Sequence, residues 1–596
     1  MSQTAQLPNW DLSHLYDNPQ DAQLEQDLSE ATRRAKAFSE AYAGKLADLN
    51  GIVFAQVIAE YESILEILHK AMSYGQLLFS VSTGDAEVGR FYQTLQERVT
   101  DISADTLFFT LEINRLDDAV LDAKMDDPNA ARYQPWLREV RQYRDHQLSD
   151  DMEKLLLEKS VTGHAAWVRL FEETFADMRF DVEGVGEGMT QSQVLNLLSD
   201  KDAVKRKAAA QGFGKVLGQN VRLLALITNT LAKDKDIEDR WRGYARPVSE
   251  RNLSNQVEDE VVDALVSSVR DQFKNLSHRY YALKAKWFGQ DVLDYWDRNA
   301  PLPDDAATTF EWDDAKSLVL NAYGAFEPRM AEVAERFFSE RWIDAQPREG
   351  KDSGAFSHPV VPSAHPYIMM NFHGKARDVM TLAHELGHGV HQVLAADQGA
   401  LMSDTPLTTA ETASVFGEML TFRKMVDTET DPARRRILLA GKVEDMLNTV
   451  VRQVAFHEFE RRVHDERKTG EISVERLGDI WIEVQTESLG PAIRFDDDYR
   501  NYWAYIPHFV HTPFYVYAYA FGDCLVNSLY AVFAKGAEGG ADVSFQQKYL
   551  DMLAAGGTKR HKELLAPFGL DASDPDFWKR GLAMVSGFID ELEEIN

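Results

Sequence analysis

Residues 381–391 read Thr-Leu-Ala-His384-Glu385-Leu-Gly-His388-Gly-Val-His391, a His-Glu-x-x-His spacing that carries chemistry only on a helix. Residues four apart share one helical face, so His384 and His388 turn two imidazoles toward one metal ion. Glu385 points along another bearing, where it would take a proton from a metal-bound water rather than ligate the metal. Val379, Leu382, Ala383, Leu386, Val390, Val393 and Leu394 recur at three- and four-residue steps and give this helix an apolar stripe. In a chain with 16 histidines the same spacing also arises by chance on a core helix, so a third ligand has to decide.

Two arrangements supply that ligand. The extended form HExxHxxGxxH needs glycine at 391 and histidine at 394, where this chain has His391 and Leu394, and it is excluded. The other takes a glutamate from a second helix. After the break Ala395-Ala396-Asp397-Gln398-Gly399, a helix is expected from Thr405-Pro406 onward, proline being suited to a first helical position. It carries Glu411 and Glu418, seven residues apart and therefore on one face. One would serve as ligand and the other would orient a histidine from behind. The plainer alternative, two solvated glutamates on a surface helix, fits poorly with the apolar residues around them.

The remainder of the chain is predicted to be mainly α. Helical periodicity runs through 24–47, 52–81 and 86–116, resumes after the cap Ser199-Asp-Lys-Asp, and continues through 257–286, 313–341, 433–467, 473–489, 513–535 and 543–595. Phe180-Asp-Val-Glu-Gly-Val-Gly-Glu-Gly-Met-Thr alternates and is glycine-rich, as a small hairpin requires. Gly350-Lys351-Asp352-Ser353-Gly354-Ala355-Phe356 reads as a flexible turn. His365-Pro366-Tyr367-Ile368-Met369-Met370-Asn371-Phe372 reads as a short strand leading into the histidine helix, and a free edge on it would hold an extended peptide. At 596 residues the chain needs more than one core, with a division expected near residue 200: an N-terminal helical lobe over 1–200 and a catalytic domain with a C-terminal helical lobe over 201–596.

A formal net charge of −32 argues against a nucleic-acid partner, whose phosphates call for a basic surface. No apolar run approaches the roughly 18 residues of a membrane helix, and the opening residues lack the basic and apolar parts of a secretory signal. The single Cys524 forbids an internal disulfide and suits the cytoplasm. Trp503-Ala-Tyr505-Ile-Pro507-His508-Phe509-Val-His511-Thr-Pro513-Phe514-Tyr515-Val-Tyr517-Ala-Tyr519 is dense in phenols and imidazoles, which want hydrogen-bond partners when buried. On a helix, Tyr515 and Tyr519 would share a face and Tyr517 would point elsewhere.

Taken in order, Trp10-Asp-Leu-Ser-His-Leu-Tyr16, Tyr295-Trp-Asp-Arg-Asn-Ala-Pro301-Leu302, Gly350-Lys-Asp-Ser-Gly-Ala-Phe356, His384-Glu-Leu-Gly-His388, Glu411-Thr-Ala-Ser414 and Pro507-His-Phe509 through Tyr519 resemble the oligoendopeptidase F branch of the thimet oligopeptidase family of zinc metallopeptidases. The resemblance implies a two-lobed helical zincin-type fold with a deep substrate channel, a small sheet near the metal-binding helix, and one Zn2+ held by His384, His388 and Glu411. It implies Glu385 as general base, His508 and Tyr519 as catalytic groups at the oxyanion, and Tyr515, Gly354 and Ala355 as substrate-binding residues. The expected substrates are oligopeptides cut at internal bonds.

Two rivals remain at this point. An exopeptidase, of carboxypeptidase or dipeptidase type, would need a group for a free terminus. The aminopeptidase pattern GxMEN is not met, because Tyr367-Ile-Met-Met-Asn371 has methionine where its glutamate belongs. An inactive helical peptide-binding scaffold would have no use for Glu385 beside a complete ligand set.

Overall fold

The computed structural model describes residues 7–160, 162–303, 309–352, 354–538 and 543–595. Residues 1–6 of the opening segment, and Ser353 of the 350–356 turn, lie outside the described residues. The chain is mainly helical, with three small sheets among the described residues. None of its described helices is long and apolar enough to cross a membrane.

The elements follow the periodicity closely. Helices α1 (Ala22–Tyr42), α2 (Gly51–Ser80) and α3 (Ala86–Thr106) are each opened by a side-chain cap, from Asp21, Asn50 and Asp85, that accepts otherwise orphaned N–H groups. The glycine-rich segment forms the expected antiparallel hairpin of β1 (Phe180–Val182) and β2 (Gly186–Met189). Asp202 caps the 40-residue α4 (Ala203–Arg242), which Gly243 ends in the left-handed conformation. The helical stretch expected over 313–341 is cut into α5 (Trp312–Phe326) and α6 (Pro328–Ser339), because Pro328 has no N–H to continue a helix and Glu327 is extended. There follow β3 (Ile343–Asp344), β4 (Phe356–His358), β5 (Tyr367–Met369), α7 (Ala376–Ala395), α8 (Leu407–Thr428), α9 (Val451–Arg467) and α10 (Tyr517–Glu538).

The chain forms two compact units, one of residues 1–144, 307–428 and 533–569, the other of residues 145–306, 429–532 and 570–596. These units do not follow the expected division at residue 200. The chain passes between them several times, once within α10.

In the first unit β5 lies between β3, to which it is parallel, and β4, to which it is antiparallel. The strand expected to present a free edge is therefore the central one, with Tyr367, Ile368 and Met369 fully buried. A continuous apolar run is what a strand covered on both faces requires, and the free edge belongs to β4 instead. The turn before β4 is pinned rather than loose: Lys351, its side chain wholly buried, donates to Asp344 Oδ1 at 2.7 Å and to the Met370 carbonyl at 2.6 Å.

Against this sheet α7 packs on α8, α5 and α6. A Cβ on Gly387 would fall on the Ala413 carbonyl and the Ser414 Cα, so this glycine sets how near the two site-bearing helices come. Gly417 in turn leaves room for the Tyr323 hydroxyl, which donates to the Ala383 carbonyl, and Gly389 lies against the ring of Phe337. Propensity alone would make Gly387→Ala stabilising by about 1 kcal/mol in a helix. The packing predicts the opposite sign, a loss of about 1–3 kcal/mol from overpacking, measurable by urea denaturation; a more stable variant would mean that the helices part freely.

Candidate functional site

The register of α7 brings the His384 and His388 rings to 4.9 Å between centroids. Both Nε2 atoms face the same oxygen of Glu411, at 3.3 and 3.5 Å. Potential ligand atoms of the three residues all lie within 4.8 Å of one another. Helix α8 starts one residue later than expected, with the Pro406 carbonyl accepting from Thr409 and Ala410. From there the seven-residue spacing puts Glu411 and Glu418 on opposite sides of one imidazole: Glu418 Oε2 lies 3.3 Å from His384 Nδ1. Ser414 holds Glu411 from its own helix, Oγ to Oε2 2.6 Å. Two imidazoles and one carboxylate, with a second carboxylate behind a histidine, match the kind of donor set that catalytic zinc sites use, and the residues present fit that ion.

Charge is concentrated here. Burial lowers the His384 imidazole, but the hydrogen bond it donates to Glu418 and the charges of Glu411 and Glu385 outweigh it and carry the group up to about 9. Burial holds His388 down to about 4. It works against the Glu411 carboxylate too, yet His388, His384 and the Ser414 hydroxyl keep that group below its usual range. Glu385, 6% exposed, is pushed up to about 7, chiefly by burial. His391 is buried outside the triad and faces the Leu553 carbonyl.

The free edge of the sheet runs past Glu385. Ile368 and Met370 donate to Trp342 and Asp344 on the β3 side, so Tyr367 and Met369 are left to pair with His358 and Phe356. Ser357 consequently turns its main-chain groups outward. Its N–H is turned toward Glu385 and favours the charged form of that carboxylate. Its carbonyl accepts from Gln392 Nε2 at 3.2 Å, and its hydroxyl donates to Gln392 Oε1 at 2.8 Å. Neither Ser357 nor Gln392 was singled out from sequence, although Gln392 sits four residues beyond His388 on the same face. Ala355, two residues before Ser357, lines the same cavity of about 570 Å³ as His384, Glu385, His388 and Glu411, and its main chain forms no hydrogen bond among the described residues. Gly354 is not part of that wall; its N–H is turned to Asp352 Oδ1 at 2.8 Å.

The aromatic segment belongs to the second unit. The helix expected over 513–535 begins only at Tyr517, because Phe514 is left-handed, with φ of +60°. Tyr515 and Tyr519 thus do not share a helical face, yet the turn brings their rings to 5.3 Å. His508, on the single helical turn His508–His511, stacks on Tyr515 at 5.9 Å and places Nε2 3.3 Å from the Tyr519 hydroxyl. Tyr517 points away as expected, fully buried, its hydroxyl accepting from Asn255 Nδ2 at 2.8 Å.

A family model described as Peptidase family M3 matches residues 196–584, and one described as Oligopeptidase F matches residues 112–180. Oligopeptidase PepF of Bacillus subtilis is 26% identical over 565 residues, spanning 93% of this chain and 82% of that protein. An oligoendopeptidase F homolog of Borreliella burgdorferi is 25% identical over 592 residues, 98% of each chain. The crystal structure of oligoendopeptidase-F from Enterococcus faecium shares the fold, with a TM-score of 0.71 at 21% identity over 96% of this chain and 98% of that one.

Proposed function

This chain belongs to peptidase family M3 and is a metallo-endopeptidase; from that premise we propose that it hydrolyses internal bonds of oligopeptides with one zinc ion per chain, in the cytoplasm. The observation that carries the reading is the convergence of His384 Nε2, His388 Nε2 and a Glu411 oxygen beside a buried Glu385 that is not a ligand. The free, buried Cys524 suits a reducing compartment.

His384, His388 and Glu411 would hold the ion, with Glu418 fixing the His384 ring through its other nitrogen. When bound, zinc polarises a carbonyl and acidifies water, which supplies the electrophile and nucleophile of amide hydrolysis. Glu385 takes the proton of the attacking water and returns it to the leaving amine, a role favoured by a carboxyl that burial has moved toward neutrality. The Ser357 N–H on the neighbouring strand favours the charged form of that carboxylate. A substrate in extended form pairs with the free edge at Ala355, because the Ser357 carbonyl is already engaged by Gln392 and Pro359 has no N–H. Gly354 supports that contact by closing the turn on Asp352. In the second unit His508 and Tyr519 form a donor pair that would stabilise the oxyanion, with Tyr515 packing on the imidazole and contacting substrate.

The activity itself is checked with a peptide acetylated at its N-terminus and amidated at its C-terminus. Cleavage at an internal bond, lost on chelation and restored by zinc, is the expected result; a requirement for either free terminus would make this an exopeptidase.

Metal binding and chemistry separate in one variant series. Glu411→Gln should weaken zinc retention most and Glu418→Gln less, the latter acting through His384. Glu385→Gln should keep normal zinc content while turnover falls by about two to four orders of magnitude, as loss of a general base requires. Atomic absorption with single-substrate kinetics reads both, and a larger zinc loss at Glu418 than at Glu411 would exchange their roles.

Tyr519→Phe removes one oxygen and leaves the ring, so fold and zinc should survive while kcat falls by about 10²–10³-fold, the effect of deleting one oxyanion donor. Tyr515→Phe and His508→Ala complete the comparison. A kcat defect at Tyr515 without one at Tyr519 would transfer the donor role, and unchanged kcat in all three would return the segment to packing.

A further inference from the structure

The aromatic segment rests on a carboxylate that the mechanism above leaves unused. Glu460 of α9 is 2% exposed, and its Oε1 accepts the main-chain N–H of Phe514 at 2.8 Å. Its Oε2 is buried without a hydrogen-bond partner among the described residues. The two cations that act on its charge are turned elsewhere: Arg251 lies toward the Pro513 carbonyl at 3.5 Å, and Lys235 toward Asp239 and Glu250 at 2.9 and 3.3 Å. A buried carboxyl with one hydrogen bond and no counter-ion is unfavourable, and an apolar side chain would pack there more stably.

Phe514 explains why a carboxyl stands at this position. Its φ of +60° lies in the left-handed region, which residues bearing a Cβ seldom occupy, and such a conformation persists only where the surroundings impose it. The ring is fully buried and lies 5.7 and 4.9 Å from the rings of His457 and His464, which flank Glu460 on α9. Immediately after the turn comes Tyr515, stacked on His508, and after it Tyr519, whose hydroxyl meets His508 Nε2. We propose that Glu460 is a positioning residue for peptide hydrolysis: by binding the Phe514 N–H it holds the left-handed turn that presents Tyr515 and Tyr519 to His508. This rests on the roles assigned above to His508 and Tyr519.

The environment also fixes how the group titrates. Burial raises the Glu460 carboxyl to about 8, against the Phe514 N–H and the charges of Arg251 and Lys235. Burial holds His457 and His464 down to about 4 and 3, so neither adds charge near neutrality. A carboxyl that titrates higher in the folded than in the unfolded chain gives its full stability below the unfolded value of about 4.3, and loses it as pH rises to the folded value. Glutamine at this position loses nothing over that range.

The test compares Glu460→Gln, which keeps an oxygen acceptor, with Glu460→Met, which fills the space without one; Glu460→Ala replaces the methionine variant if that does not fold. Zinc content, kcat, KM, hydrogen exchange of the peptide spanning 508–519, and Tm at several pH values are measured. In Glu460→Met we expect normal zinc, little change in KM, kcat lower by about tenfold or more, as misplaced groups cause, and faster exchange in the segment. Glu460→Gln should restore kcat and protection, with a Tm that gains on wild type as pH rises from about 5 to about 8.5. Unchanged exchange in Glu460→Met overturns the proposal. So does faster exchange with unchanged kcat in a protein whose Tyr519→Phe variant is slow. If Tyr519→Phe and His508→Ala are themselves as fast as wild type, the oxyanion reading has failed and this proposal falls with it, an outcome told apart by those two variants alone.

Discussion

The distance between α7 and α8 is the constraint on which the site depends. His384 and His388 come from one helix and Glu411 and Glu418 from the other, so the four groups meet only if the backbones approach until Gly387 touches Ala413 and Ser414. Any side chain at 387 would hold the helices apart and move the carboxylates away from the imidazoles. The same economy of volume recurs beside it, where Gly417 admits the Tyr323 hydroxyl and that hydroxyl binds the Ala383 carbonyl one residue before His384. Close-packed interiors transmit such spacing with little slack, which makes small residues at these points part of the chemistry.

That close approach also crowds like charges. Glu385, Glu411 and Glu418 all act on His384, and their joint field overcomes a burial that by itself would strip the imidazole of its proton. Glu385 is driven in the opposite direction, toward the neutral acid, by burial and by Glu411. A site with this surplus of negative charge suits a divalent cation. The Ser357 N–H faces Glu385 and favours its charged form, which is how a strand edge contributes to a site otherwise made of helices.

Much of this was legible in the sequence, because helix periodicity is local. The faces of 384, 388, 411 and 418 follow from spacing alone, and the caps and the hairpin follow from their turn residues. What the sequence hid depends on partners distant along the chain. Tyr367-Ile-Met-Met reads as a strand, but whether it stands at an edge is decided by β3 and β4, which come from other segments. Ser357 carries no motif, and its role arises from the pairing register that turns its main chain outward. The compact units could not be read either, since the chain passes between them several times and one passage lies inside a helix.

The aromatic segment departs from helical expectation for a reason that bears on its use. On an unbroken helix Tyr515 and Tyr519 would project side by side from one face, and both would approach His508 from the same direction. The turn at Phe514 removes Tyr515 from the helix and lays its ring parallel to the imidazole, while Tyr519 on α10 brings its hydroxyl to Nε2 and its ring edge-on. The imidazole is thus held by a face and by an edge, which fixes both its position and its rotation. A left-handed residue with a Cβ costs about 1–2 kcal/mol, and the buried carboxyl that steadies it adds a further penalty. Such outlays within a core are spent where geometry matters more than stability, and this one lies next to Tyr515 and Tyr519, the two tyrosines that meet His508.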